Sequence, residues 1–168
     1  MSPCAECGFV YDLDLAARVS RLAIGHADEY ADLLGAEPAA LRRRTRPEVW
    51  SPLEYACHMR DVLLVQRERL LAARRSERPV VGHMGRDERV EHDGYAQQHP
   101  DDVARQLRDA ALLFGGALDR LAPGDWERTL YFPFPDPADP TERSLRWLAV
   151  HTLHELRHHL LDIRRQLD

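Results

Sequence analysis

Ala149-Val150-His151-Thr152-Leu153-His154-Glu155-Leu156-Arg157-His158-His159-Leu160-Leu161-Asp162-Ile163 carries four histidines and two acids in a segment whose leucines recur every three to four residues. That recurrence marks an amphipathic helix, on which residues four apart share one face. Glu155 and His159 can therefore offer an oxygen and an imidazole nitrogen to one divalent metal. Extended in both directions, Leu145, Leu148, Thr152, Leu156, Leu160, Ile163 and Leu167 define the arc that faces a core. His159 falls inside that arc and Glu155 at its edge. His151 and Asp162 lie at the shoulder, His154 roughly opposite, and His158 largely outward. The last two, with His151, read as a solvated face or as support for the ligands from outside.

Three more periodic segments precede this one. The first, about Leu13 to Leu34, aligns Leu15, Val19, Leu22, His26, Tyr30 and Leu33, with Gly35 as its expected C-terminal cap. The second opens on Ser51-Pro52-Leu53-Glu54, a capping-box pattern with proline at the first helical position, and runs to about Arg75. The third follows Pro100-Asp101-Asp102 and repeats Val103, Leu107, Ala110, Phe114, Ala117 and Leu121 before Pro123-Gly124. The fourth is expected from about Thr141 to Leu167. Thr129 to Phe134 alternates weakly and reads as a short extended piece limited by Pro133 and Pro135. Ser76 to His99 is a long polar connection with room for one short helix, of the kind that is usually functional or mobile. The expected fold is all-α: a four-helix bundle with long crossover loops.

At 168 residues the chain is expected to be a single domain, residues 1–168, preceded by a short Cys-x-x-Cys segment over residues 1–12. The net charge of −5 argues against a nucleic-acid partner, whose phosphates demand a basic surface. Apolar runs are too short for a bilayer crossing, and no basic start leads into an apolar stretch, so the expected location is the cytoplasm, with no membrane partner. All 23 basic residues are Arg, a hint of a GC-rich genome rather than of mechanism. Trp147, Val150 and Leu161 form an apolar strip on the outward side of the last helix, which reads as a homodimer contact.

His58 sits on the apolar arc of the second helix between Val62 and Val65. Alone, such a histidine is most often a hydrogen-bonded core residue. Glu155 is different, because a carboxylate at a buried edge needs a metal, an Arg or a His as partner; an Arg–Glu–His network is the non-metal alternative. Together His58, Glu155 and His159 make three N/O donors with a position left for water or substrate, the style of a catalytic rather than structural zinc site. Nickel or iron suits the same donors. Cys4-Ala5-Glu6-Cys7-Gly8 resembles half of a zinc knuckle. The first expectation is free surface thiols; the alternatives are a small metal site completed by His83, His92 or His99 of the long loop or by another chain, and a redox pair, whose usual place after a strand is absent here. Cys57 reads as core packing.

Trp50-Ser-Pro-Leu-Glu-Tyr-Ala-Cys-His58 together with Arg146-Trp-Leu-Ala-Val-His151-Thr-Leu-His-Glu155-Leu-Arg-His-His159-Leu-Leu-Asp162 resembles the DinB-like family, nearest its mycothiol-dependent maleylpyruvate isomerase branch. The resemblance implies a four-helix bundle with a divalent metal on one His of the second helix and two ligands of the fourth. Residue by residue these are His58, Glu155 and His159. Where the family often continues with Gly-Gln or Gly-His, this chain has Leu160-Leu161-Asp162. The implied activity is that of a thiol-dependent transferase or isomerase, with mycothiol or a similar small thiol as cofactor and a small electrophile as substrate. Arg86 and Arg89 of the long loop are the candidates for its acidic groups, and His151 and Asp162 for supporting roles. A non-catalytic metal-containing stress or small-molecule-binding bundle and a metal-dependent hydrolase are the alternatives.

Overall fold

The computed structural model describes residues 3–133 and 138–168. Its helices are α1 (Val19–Leu33), α2 (Pro38–Arg42), α3 (Pro52–Arg75), α4 (Arg86–His92), α5 (Pro100–Leu118) and α6 (Leu145–Leu167). The expected all-α bundle is formed by α1, α3, α5 and α6. Helix α5 packs against both α1 and α3, and α6 against both α3 and α1, so α1 and α3, consecutive in the bundle, sit on a diagonal. The segment from Leu13 to Arg18 is a 3-10 helix rather than part of α1. Gly35 takes no left-handed conformation; its N–H closes the helix end on the Asp32 carbonyl at 3.1 Å.

The start of α3 is fixed by the chemistry its sequence announces. The Ser51 hydroxyl accepts from the Glu54 N–H at 3.3 Å, and the Glu54 carboxylate accepts from the Ser51 N–H at 2.7 Å. Two orphan donors of the first turn are thereby satisfied. Arg44 adds a two-pronged contact, donating from Nε at 2.8 Å and from Nη2 at 2.7 Å to the two Glu54 oxygens. His58 follows one turn later, so this cap sets its height in the bundle.

The start of α6 departs from the expected helix. Thr141–Ser144 is a strand, β2, paired antiparallel with β1 (Thr129–Phe132), Thr129 opposite Ser144. The polar Thr-Glu-Arg-Ser sequence follows the cross-strand partner there, because Ser144 is needed as the cap: its hydroxyl accepts from the Trp147 N–H at 3.2 Å. The expected extended piece is thus real over Thr129–Phe132, while Phe134 and Pro135 lie outside the described residues.

The long connection wraps α3 instead of hanging free. It contains α4 and a 3-10 turn at Tyr95–Gln97, and Tyr95 is fully buried, donating its hydroxyl to Asp61 at 2.6 Å. Arg60 reaches Gln98 and Gln106 at 2.7 Å each. Helix α3 is consequently buried on most of its circumference, charged residues included. No helix among the described residues is long and apolar enough to cross a membrane.

The apolar strip at Trp147 and Val150 is not open. Trp147 stacks on His151 at 4.5 Å between ring centres and meets Phe132 edge-on at 5.1 Å, with Arg143 over its ring at 4.9 Å. Val150 has no exposed surface. A helical wheel treats this side as free because nothing local reveals that Tyr11 and the hairpin fold across it.

Glu54 also carries a pH signature. Burial opposes its charge, but the Arg44 contact and the Ser51 cap outweigh that and hold its pKa below the ordinary value. Its contribution is therefore complete above the unfolded value of about 4.3 and is lost as pH falls through the lowered folded value. Glu54→Ala should cost about 2 kcal/mol at pH 7, through a lost cap and a lost charged hydrogen bond. Urea denaturation at stepwise lower pH should show the gap between variant and parent closing below pH ~4.

Candidate metal centre

His58 from the second turn of α3 meets Glu155 and His159, stacked one turn apart on α6. Their donor atoms lie within 4.8 Å of one another. The two imidazoles are nearly perpendicular, 5.3 Å between ring centres, and Glu155 Oε2 is 3.8 Å from His159 Nε2. Trp50 presses edge-on against His58 at 5.0 Å, and Tyr55 stacks on His159 at 5.1 Å, so both rings are oriented by aromatic walls. On α1, Tyr30 donates its hydroxyl to the Leu156 carbonyl at 2.9 Å and fixes the register of α6 beside Glu155.

The electrostatics suit a cation. Burial pushes the His58 pKa down to about 3, with His159 nearby adding to the shift, so the ring is a neutral lone-pair donor. Burial alone would raise Glu155, but its hydrogen bond to His154 and the surrounding imidazoles prevail and hold it at about 2. His159 turns Nδ1 to Asp162 at 2.9 Å, leaving Nε2 for the centre, the arrangement that fixes a metal-binding tautomer. Nδ1 of His58 is buried without a hydrogen-bond partner among the described residues. Such an orphan is costly unless an outside group satisfies the ring. Two imidazoles and one carboxylate thus fit a divalent ion with an open position.

Beside this cluster lies a cavity of about 310 Å³, into which His58 and Glu155 both face. Val62, Met84 and Phe132 give it apolar walls, and Gln66, Arg69, His83, His151 and the Arg86–Asp87 pair, 3.5 Å apart, give it polar ones. His151 is buried beside Glu155, its pKa lowered to about 4 by burial. Arg86 stands in this wall. Arg89 does not; it donates to the Met84 carbonyl at 2.8 Å and to Asp61 at 3.3 Å, anchoring the long connection.

Arg69 is the residue that sequence reading passes over. It is buried, lies over the Phe132 ring at 4.7 Å, and donates to the Gly82 carbonyl at 2.6 Å. No carboxylate among the described residues pairs with it. Burial lowers its pKa to about 10, which still leaves it charged at neutral pH. A signal existed: Arg69 follows His58 by about three helical turns and so shares its face of α3.

Cys4 and Cys7 meet neither His92 nor His99, and His83 lines the cavity instead. They join His154 and His158, the two histidines whose wheel positions read as solvated. The N-terminal arm lies over that face of α6: Phe9 packs at 5.2 Å from His154, and the Tyr11 hydroxyl sits 2.8 Å from His151 Nδ1 and 3.0 Å from His154 Nδ1.

The sequence pattern of the DinB superfamily matches residues 25–163, and the chain belongs to that superfamily. Among solved structures it is similar to YfiT from Bacillus subtilis, described as a probable metal-dependent hydrolase with an unusual four-helix bundle topology. The TM-score is 0.75 at 15% identity, over 99% of this chain and 93% of that one. It is also similar to the mycothiol-dependent maleylpyruvate isomerase, with a TM-score of 0.69 at 15% identity; the match covers 90% of this chain but 60% of the isomerase. No curated protein matches the sequence.

Asp162→Asn should weaken zinc binding at the His58–Glu155–His159 centre by about 10- to 100-fold, because it weakens the hold on the His159 ring. Competition against a chelating indicator, in a Cys4→Ser/Cys7→Ser background, isolates that centre.

Proposed function

We propose that this chain is a divalent-metal-dependent enzyme that activates a small thiol of the mycothiol type against a small anionic electrophile, as a transferase or isomerase. The observation that carries this reading is the convergence of His58, Glu155 and His159, with His58 and Glu155 facing a cavity that also holds Arg69. Zinc held by three protein ligands keeps a position for an outside group and lowers the pKa of a coordinated thiol, so that the thiolate exists at neutral pH. Nickel or iron would be held by the same donors.

The chain's own residues supply the remainder. His58 and His159 offer neutral nitrogens, and Glu155 supplies one negative charge. Arg69 meets a carboxylate or oxyanion of the substrate; the Gly82 carbonyl and the Phe132 ring hold its guanidinium in place. Arg86, beside Asp87 at the outer wall, offers a second guanidinium from the long connection. Val62, Met84 and Phe132 enclose the carbon frame and keep water from the reacting thiol. The resemblance of the ligand motif to the isomerase branch supports the thiol, and the likeness of fold to both solved structures is compatible with it.

Elemental analysis of Glu155→Ala and His159→Ala should show the centre's metal lost, and thiol-dependent consumption of a carboxylated electrophile should fall at least about 100-fold with it. Turnover of esters without any added thiol would instead favour a hydrolase. Retention of the metal in Glu155→Ala would overturn the ligand assignment. Arg69→Met should raise KM for the carboxylated electrophile about 10- to 100-fold, as expected for a lost charged hydrogen bond, and leave an uncharged analogue nearly unaffected.

A further inference from the structure

The Cys4–Cys7 turn takes no part in the chemistry above, yet it is built in detail. Gly8 adopts a left-handed conformation at φ 69°, which lets its N–H donate to the Cys4 carbonyl at 2.8 Å while the Cys4 N–H donates to the Phe9 carbonyl at 2.9 Å.

Across from this turn, His154 and His158 stand one turn apart on α6. The four donor atoms lie within 4.8 Å of one another, and Cys4 Sγ is 3.8 Å from His158 Nδ1. A tetrahedron with zinc–sulfur bonds of about 2.3 Å and zinc–nitrogen bonds of about 2.0–2.1 Å has edges of about 3.3–3.8 Å, so little movement closes this one. The ring nitrogens are also sorted correctly. His158 turns Nε2 to Glu6 at 3.2 Å, leaving Nδ1 toward the sulfur. His154 turns Nδ1 to the Tyr11 hydroxyl and to Glu155 Oε1 at 3.3 Å, and its Nε2 is buried without a hydrogen-bond partner among the described residues. An outer hydrogen bond on one nitrogen and a free lone pair on the other is how a metal-binding imidazole is held.

We propose that Cys4, Cys7, His154 and His158 form a second, closed zinc site that staples the N-terminal arm to α6. Two thiolates and two neutral imidazoles complete a tetrahedron with no position for substrate, the pattern of a structural site. The two thiol protons leave on binding, and the thiolate charges balance the ion. The staple also reaches the bundle centre, because Glu155 holds His154 with one oxygen and faces His159 with the other.

Zinc-loaded full-length protein should hold one equivalent more than Cys4→Ser/Cys7→Ser, and His58→Ala should keep that equivalent while losing the other. Cobalt loading should give a thiolate-to-cobalt charge-transfer band in the parent and in His58→Ala, absent from the double serine variant. The unmutated chain gives an independent reading: two thiols should resist Ellman's reagent with zinc present and react once a chelator removes it, Cys57 staying buried throughout. Equal thiol reactivity with and without zinc would overturn the site, as would thiols released only by a reductant, which would reveal a disulfide.

Discussion

Glu155 keeps about a quarter of its side chain accessible while imidazoles from His151, His154 and His159 crowd around it. A carboxylate in that position is tolerated only if its charge is answered on every side. Much of the architecture does the answering. The Ser144 cap sets the phase of α6, and the Tyr30 hydroxyl fixes its register one residue away. Asp162 then orients the partner His159, and Tyr11 orients the two histidines on the other flank. A shift of α6 by one residue would turn every one of these groups by about 100° and leave the acid facing apolar neighbours.

The trio of His58, Glu155 and His159 was legible because its information is local. Periodicity says which side of a helix faces the bundle, and two donors on the same helix need only the right spacing to converge. The Ser51–Glu54 cap is legible for the same reason. What periodicity misses is the second layer. His154, His158 and Trp147 look solvated on a wheel, since the wheel records one interface and the N-terminal arm and hairpin create another. The return of residues 4–11 onto α6 is a contact between chain ends, and no window of sequence contains it. Thr141–Ser144 failed in a related way, its strand pairing being imposed by Thr129–Phe132.

Helix α3 shows the same limit in its charges. Arg60 and Asp61 carry the polar pattern of an exposed face and Arg69 puts a charge on the apolar one, yet all three are buried. Asp61 is answered by Arg60, Arg89 and Tyr95, so that part is a structural network that holds the connection down. Arg69 has no such answer. The contrast between neighbours on one helix separates a charge that builds the fold from a charge left available to a ligand. The candidate ligands thus sit on rigid helices, while the walls of the cavity come in part from the connection and the hairpin. Fold likeness speaks to the helices alone and leaves the chemistry to this chain's own residues.

The two donor clusters share two turns of α6, offset by a single residue. His154 and His158 face the arm; Glu155 and His159 face the bundle. Their charge balance differs in a way that matches the roles proposed for them. Two thiolates cancel the charge of a divalent ion, so a closed cysteine–histidine site would attract no further anion. Two imidazoles and one carboxylate would leave a divalent ion with a net positive charge, and Arg69 adds to it from the cavity wall, while Arg86 is offset there by Asp87 at 3.5 Å. On the roles proposed, an incoming thiolate or carboxylate would be drawn to the open centre and not to the closed one, although Glu155 touches both. The same bridging acid means that the arm cannot loosen without disturbing a ligand of the open centre.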